Sequence, residues 1–389
     1  GCVMNKKLLL LVLLVVCVGW ISAQESYKYL SLDMKRMEDV RSTEAGRNER
    51  TGWIKRADEQ LKKGPYSVTY KKVLPPSGDK HDYISMGPYW WPNPKTADGL
   101  PYVRRDGERN PERNKYSDAG QLSKVIDGVF TLGNAYYYTN DERYAKKAFE
   151  LVDTFFVTPA TRMNPNLKYG QFIPGICEGR GIGIIETRFM GRLLEGVTLM
   201  YGAESWDKHV YEGLKRWIRD YLTWLQTHPY GIDESKAHNN HGTYYDVQCV
   251  AMNLFLGQVD EAKRLIVEST QKRLQKQVAK DGSQPYELER TNSWSYATMN
   301  LQGFILMAKM GERIGVDLWH YTHEGQMYLK SMIDWFVPFL KKEKVWTWKQ
   351  IGNAKVEAMA DVLRTAAFVY GDRSYSELAD NLKPIHEHI

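Results

Sequence analysis

Cysteine is scarce in this chain: four in 389 residues, with Cys2 and Cys17 confined to its apolar start. The remaining pair, Cys177 and Cys249, is too small for a disulfide scaffold and shows no zinc-type spacing, so both read as buried free thiols. No dense lysine and arginine block is present, which removes the electrostatic footprint of a nucleic-acid binder. The longest apolar run, Leu8 to Val18, is about 11 residues where a bilayer-spanning helix takes roughly 20, so no stable membrane span is expected. No segment alternates apolar and polar residues between hairpin turns, which argues against a β-sandwich or barrel. Glycines do cluster in Glu178-Gly179-Arg180-Gly181-Ile182-Gly183, but no strand precedes them and no βαβ unit follows, so a dinucleotide loop is rejected.

Lys6-Lys7 ahead of the apolar run and Ser22-Ala23 behind it read as a secretory signal peptide over residues 1–23, implying export to the periplasm or beyond the cell. Gly1-Cys2-Val3, ahead of Met4, read as non-native. Taking away the leader removes two of the 53 basic residues and none of the 47 acidic ones, leaving a formal charge of +4. That mild surplus suits a polyanion if it is concentrated in one cleft.

From residue 117 onward, apolar residues recur at helical spacing. Leu122, Val125, Ile126, Val129, Phe130 and Leu132 make one stripe, Tyr144 to Phe155 the next, and Ile184 to Val197 another. Trp206–Leu225, Val247–Phe255, Ala262–Val278, Met299–Ile314, Tyr328–Leu340 and Val356–Tyr370 continue the series, and a last helix starts near Ser374. About ten helices joined by short loops predict an all-α fold, an α/α toroid of antiparallel pairs forming a single domain over residues 24–389. Residues 64–116, rich in proline, glycine and aromatics, read as a long ordered loop of the kind that covers or lines a binding site.

Two stretches carry the chemistry. His238-Asn239-Asn240-His241 stands just before an apolar helix, and Arg290 lies six residues ahead of Tyr296 at the front of another. Each has a bland reading: Asn240 as a helix cap, His241 as a packed histidine, Arg290 as the partner of Glu287 or Glu289, Tyr296 as one of 25 tyrosines. Taken together they supply a carboxamide, an imidazole, a guanidinium and a phenol. That set suits removal of the weakly acidic proton beside a carboxylate, which needs charge neutralisation, a base, and an acid for the leaving oxygen. The expected reaction is β-elimination on a uronic-acid polymer, with no cofactor and no metal, since the two histidines lack an accompanying carboxylate ligand. Six-residue spacing brings Arg290 and Tyr296 together only if Arg290 sits in the preceding loop or first turn.

Aromatic faces stack on sugar rings, so Tyr89, Trp90 and Trp91 in the loop are candidate substrate contacts, with Arg104 or Arg105 able to meet an anion. Gln171 and Arg180 are expected to face the same cleft, and Trp346 with Lys349 to offer a further stacking face and cation or merely to pack under the toroid. Two other classes fit less well. A toroid glycoside hydrolase would draw a carboxylate pair from Glu178, Glu186 and Asp246, and a non-catalytic glycan binder would use the aromatic loop alone.

The stretch His81-Asp82-Tyr83 with Gly87-Pro88-Tyr89-Trp90-Trp91-Pro92-Asn93-Pro94, the Gly179-Arg180-Gly181-Ile182-Gly183-Ile184-Ile185-Glu186 segment and Asn239-Asn240-His241 together resemble the alginate lyase superfamily domain, over roughly residues 65–370. The resemblance implies an α/α-toroid lyase without a dissociable cofactor, acting on an anionic polysaccharide, alginate first and glucuronan second. It implies that Asn240 and Arg290 neutralise the uronate carboxylate, that His241 assists as base or charge stabiliser, and that Tyr296 is the acid and also a candidate base. The Arg-to-Tyr spacing departs slightly from that of better-known relatives, so Tyr244 and Tyr245 stand in reserve for proton transfer, Tyr244 also as a substrate contact. A tyrosine base needs tuning, and Arg290 is expected to lower the phenol's pKa by favouring phenolate.

Overall fold

A computed structural model describes residues 30–382; the segment expected to be a signal peptide lies outside them. Two helices precede the aromatic loop, α1 (Met34–Ser42) and α2 (Arg47–Gln60). Periodicity missed both because their apolar stripes are thin: α1 buries Met37 and Val40, and α2 buries Trp53 and Ala57.

The expected helical series follows as α3 (Asp118–Thr139), α4 (Glu142–Val152), α5 (Met190–Leu199), α6 (Lys208–Thr227), α7 (Pro229–Ser235) and α8 (Asn240–Phe255). It continues through α9 (Val259–Leu265), α10 (Gln271–Gln277), α11 (Pro285–Leu288), α12 (Ser293–Arg313), α13 (Tyr328–Leu340), α14 (Met359–Tyr370) and α15 (Arg373–Asp380). The stripe from Ile184 to Val197 is not one helix: Gly181–Thr187 winds as a 3-10 segment, and α5 begins at Met190.

Packing sorts the helices into two layers of an α/α toroid. The inner layer runs α3 against α5, α5 against α8, and α8 against α12. In α8 every residue from Gly242 to Phe255 is buried, the mark of a helix surrounded on all sides. The outer α6 buries a single stripe of Val210, Leu214, Trp217, Ile218, Tyr221, Leu222 and Leu225, spaced three or four apart. Each such apolar side chain, fully buried, contributes about 1.5–3 kcal/mol. The inner backbones of α3 and α5 touch through Gly133 and Gly196, where a Cβ on Gly133 would stand 2.3 Å from the Gly196 carbonyl oxygen. One continuous hydrophobic core joins both layers.

The loop before α3 is more ordered than its composition suggests. It carries β1 (Ile84–Met86), β2 (Trp90–Trp91) and β3 (Val103–Arg104), strands too short for alternation to register in sequence. β1 pairs in parallel with β4 (Tyr169–Phe172), and β2 pairs antiparallel with β3, setting Trp90 opposite Arg104. A buried ion pair, Lys71 to Asp118 at 2.7 Å, ties the loop to the start of α3, where Asp118 also accepts the Ile84 N–H at 2.9 Å. Both cysteines are free; Cys249 is buried as expected, whereas Cys177 is half-buried. Among the described residues no helix is long and apolar enough to cross a membrane.

Candidate active site

All four inner helices begin at one cleft of about 1020 Å³. Gln121 and Lys124 enter it from α3, Arg188 and Phe189 from the residues just before α5, Asn240 and His241 from α8, and Arg290 and Tyr296 from the start of α12. Each helix start turns the positive end of a dipole toward the cleft, which favours an anion. The side chains reinforce this. Six arginines and Lys124 line the cleft against two carboxylates, Asp127 and Glu186, and Glu186 is already held by Arg113 at 3.2 Å and by the Tyr83 hydroxyl at 2.7 Å. Burial lowers the pKa of Arg180 and of Arg188, so these cations are poorly hydrated and gain from an incoming anion. The Nε of Arg188 is buried without a hydrogen-bond partner.

At one corner stand Asn240 and His241. Asn239, not Asn240, caps α8: its side-chain oxygen accepts the His241 N–H at 3.1 Å. Asn240 is thereby free of the capping role, and it is buried against Glu287, whose carboxylate accepts from the Asn240 backbone N–H at 2.7 Å and from Nδ2 at 2.9 Å. Burial raises the Glu287 pKa, opposed by those Asn240 bonds. His241 keeps its imidazole in the cleft wall and places Nδ1 2.9 Å from Glu234. His238 does not join them; it is exposed, with its ring edge-on to Tyr286.

At the other corner Arg290 lies in the bend before α12, as the six-residue spacing required, with its guanidinium 3.9 Å from the centre of the Tyr296 ring. Its partner is neither Glu287 nor Glu289 but Asp106 of the loop, gripped by two bonds, Nε to Oδ2 at 3.0 Å and Nη2 to Oδ1 at 2.8 Å. The same aspartate accepts the Thr291 N–H at 3.2 Å, and its carbonyl takes the Thr291 hydroxyl at 2.7 Å. Burial alone would raise the Asp106 pKa, but Arg290 and Thr291 hold it down at about 2. Gly107, at φ +77, makes the close approach that this latch requires; a Cβ there would sit 2.5 Å from the Thr291 hydroxyl. The Tyr296 hydroxyl meets that of Tyr89 at 2.6 Å.

Arg290 does lower the Tyr296 pKa, as expected, but is outweighed. Burial raises it well above the usual phenol value of 10.0, the neighbouring Tyr89 adds to the rise, and Arg290 only opposes it. Tyr296 is a neutral phenol at rest, suited to give a proton rather than take one.

Along the loop wall, Tyr89 and Trp90 line the cleft with Gln171 and Arg180. Arg180 donates Nε to the Gln171 carbonyl at 3.0 Å and Nη2 to its side-chain oxygen at 2.9 Å, and lies 5.7 Å from the Trp90 ring centre. Gln171 holds an uncommon left-handed backbone, φ +50, in this wall. Four expected contacts fall elsewhere. Trp91 turns from the cleft to donate to the Glu108 carbonyl at 2.8 Å and to pack under Arg105. Tyr244 is buried, donating to the Met299 carbonyl at 2.7 Å. Trp346 packs among Trp294, Trp335, Phe336, Phe339 and Trp348, while Lys349 is exposed outside the cleft and lends its backbone carbonyl to Ser293. Of the carboxylates considered for hydrolysis, Glu178 is exposed outside the cleft and Asp246 is buried behind it in an ion pair with Arg273 at 2.8 Å. Only Glu186 lines the cleft, so the three do not form a pair across it. Among the described residues no group of three or more histidines, cysteines or carboxylates is placed to hold a metal ion.

The fold recurs in alginate lyase A1-III from Sphingomonas species A1, at 14% identity and a TM-score of 0.51 over 81% of this chain and 86% of that one. A tyrosine-to-phenylalanine variant of alginate lyase A1-III complexed with a tetrasaccharide matches similarly, at 13% identity and TM-score 0.51 over 81% and 86% of the two chains. These likenesses show the fold, and a match to a lyase family over most of the chain defines the class: a polysaccharide lyase. The chain belongs to the alginate lyase family, whose profile matches residues 67–346. An alginate lyase from Bacteroides ovatus shares 35% of its residues with it and superposes with a TM-score of 0.87, covering 92% of this chain and 96% of that one. No curated protein sequence matches.

Proposed function

We propose that this chain cleaves alginate, with polymannuronate as the first candidate substrate and glucuronan as the second, by β-elimination that leaves 4,5-unsaturated uronate ends. The observation that carries the reading is the meeting of Asn240, His241, Arg290 and Tyr296 on one cleft whose charged side chains are mainly cations. The cleft's positive field draws the polymer in and holds a uronate carboxylate beside Asn240, so that electron density can flow onto it when H5 is taken. His241 takes H5. The electron pair of that C–H bond becomes the C4–C5 double bond, the C4–O4 bond breaks, and the Tyr296 phenol passes its proton to the departing O4. Solvent then returns a proton to Tyr296 and removes one from His241. Because Asp106 occupies two nitrogens of Arg290, Arg290 acts here through Tyr296, holding its ring, more than as a free clamp.

The leader-like segment of residues 1–23 supports export, to the periplasm or the cell exterior. The test of function is the ultraviolet absorbance of the conjugated product, followed with polymannuronate, polyguluronate and glucuronan separately. A rise on one polymer names the substrate. New reducing ends without that absorbance would replace elimination by hydrolysis.

A further inference from the structure

Glu234 is a buried carboxylate behind His241, with 2% of its side chain exposed, and it places one oxygen 2.9 Å from His241 Nδ1. We infer that Glu234 is a positioning residue: by accepting the Nδ1 proton it fixes the tautomer of His241 that turns an unprotonated Nε2 to the cleft. The inference rests on the reading of His241 as the base that takes H5.

An ionised carboxylate can only accept hydrogen bonds, so the proton between the two groups belongs to Nδ1. A neutral imidazole with its proton on Nδ1 has its lone pair on Nε2. That nitrogen belongs to a ring 16% exposed, in the wall of the cleft. When Nε2 takes the substrate's proton, the buried negative charge of Glu234 lies against the imidazolium that forms, which spares the ring from reorganising.

The geometry around the pair is fixed from both sides. His241 is the second residue of α8, held by the Asn239 cap. Glu234 sits in α7, a short helix opened by Pro229 and capped by the His228 ring, which accepts the Tyr230 N–H at 3.1 Å. The turn between them is clamped from outside by Arg273, which donates to the Ser235 carbonyl at 2.6 Å and the Ala237 carbonyl at 3.1 Å while Asp246 holds its Nε at 2.8 Å. Glu287 acts on Asn240 instead of the imidazole, and Arg290 is engaged with Asp106. Glu234 is the carboxylate bonded to the ring.

Replacing Glu234 by Gln keeps the shape and allows the amide to donate to Nδ1, which favours the opposite tautomer and blocks Nε2. The expected result is a kcat lower by about a thousandfold or more with KM within a few-fold, the scale seen when a base's orienting carboxylate is made an amide. Glu234→Asp, which keeps the charge, should recover part of the loss. Nitrogen NMR on the unaltered protein provides a reading that no folding defect can cloud: at neutral pH the His241 ring should carry its proton on Nδ1. A proton on Nε2, or a folded Glu234→Gln protein with kcat within about threefold of the parent, overturns the inference. If the parent protein yields no unsaturated ends from any polyuronate, the elimination reading falls by itself, and the NMR result still decides the tautomer.

Discussion

The two corners of the cleft are built alike and held differently. Each sets a pair of functional side chains at the start of an inner helix and braces it with side chains from outside that helix, at least one of them a buried or half-buried carboxylate. At the Asn240–His241 corner the braces, Glu234 and Glu287, come from α7 and α11, inside the helical scaffold, 7 and 47 residues from their partners. At the Arg290–Tyr296 corner they come from the aromatic loop: Asp106 lies 184 residues from Arg290, and Tyr89 lies 207 from Tyr296. The first corner is therefore complete once the toroid has folded, whereas the second is complete only when the loop is seated. The seated loop thus completes the surroundings of Arg290 and Tyr296.

The largest expected effects come from removing the proton-transfer groups themselves. Tyr296→Phe deletes the acid and keeps the ring under Arg290, so kcat should fall by about 10²–10⁴-fold with the fold intact. Full activity in that variant would remove Tyr296 from the mechanism. Next in size is the latch. Asp106→Asn leaves Arg290 without its counter-charge and loosens the loop, and a displaced acid can cost on the order of 10²-fold. The melting temperature should fall too, because a largely buried Arg290 loses its partner, but by less than the activity, because the scaffold corner does not depend on Asp106. An equal loss of activity and of melting temperature would show that the two corners are not independent. Smaller still is the effect of alkali. Since burial first, then Tyr89, raises the Tyr296 pKa above 10.0, the acid stays protonated through pH 10, and the alkaline fall of kcat should begin beyond it. A fall centred near pH 8 would assign the acid to another group.

The contrast also explains what could be read from the chain. The inner helices were legible because Leu122–Leu132 and Val247–Phe255 repeat at helical spacing, and the quartet because each member sits beside a helix start. The thin stripes of α1 and α2 carry too few apolar residues to stand out. Glu287 was visible only as a neighbour of Arg290, three residues away, whereas its true partner, Asn240, lies 47 residues earlier at the start of α8. Asp106 has no local signal at all, since a latch between a loop and a helix start 184 residues on leaves no spacing to recognise. Glu234 had a weak one: a carboxylate seven residues before a histidine, across the turn that joins the short α7 to α8. Tyr244 stands four residues after Asn240 and so on its helical face, but α8 is enclosed on every side, and the face that Asn240 turns toward the site's edge is already packed at the next turn.

The mildest test concerns the two tryptophan clusters, which sequence alone could not tell apart. Trp90 stands in the cleft wall beside Arg180, while Trp346 sits in a nest whose members approach at 4.9 to 6.3 Å. Stacking of one aromatic face contributes about 0.5–1.5 kcal/mol, so Trp90→Ala should raise KM roughly 2–12-fold and leave kcat and melting nearly unchanged. Trp346→Ala removes packing instead, and a large aromatic cut to alanine in a core costs about 3–5 kcal/mol, less here because Trp346 is half-buried. Its Nε1 also donates to the Ser293 hydroxyl at 2.9 Å, at the first turn of α12. Any catalytic loss in Trp346→Ala should accordingly track a falling melting temperature and vanish on cooling, whereas the Trp90→Ala defect should persist at every temperature where the protein is folded. Steady-state kinetics at two temperatures separates them. A KM defect in Trp346→Ala that survives cooling would put that nest in contact with the polymer after all.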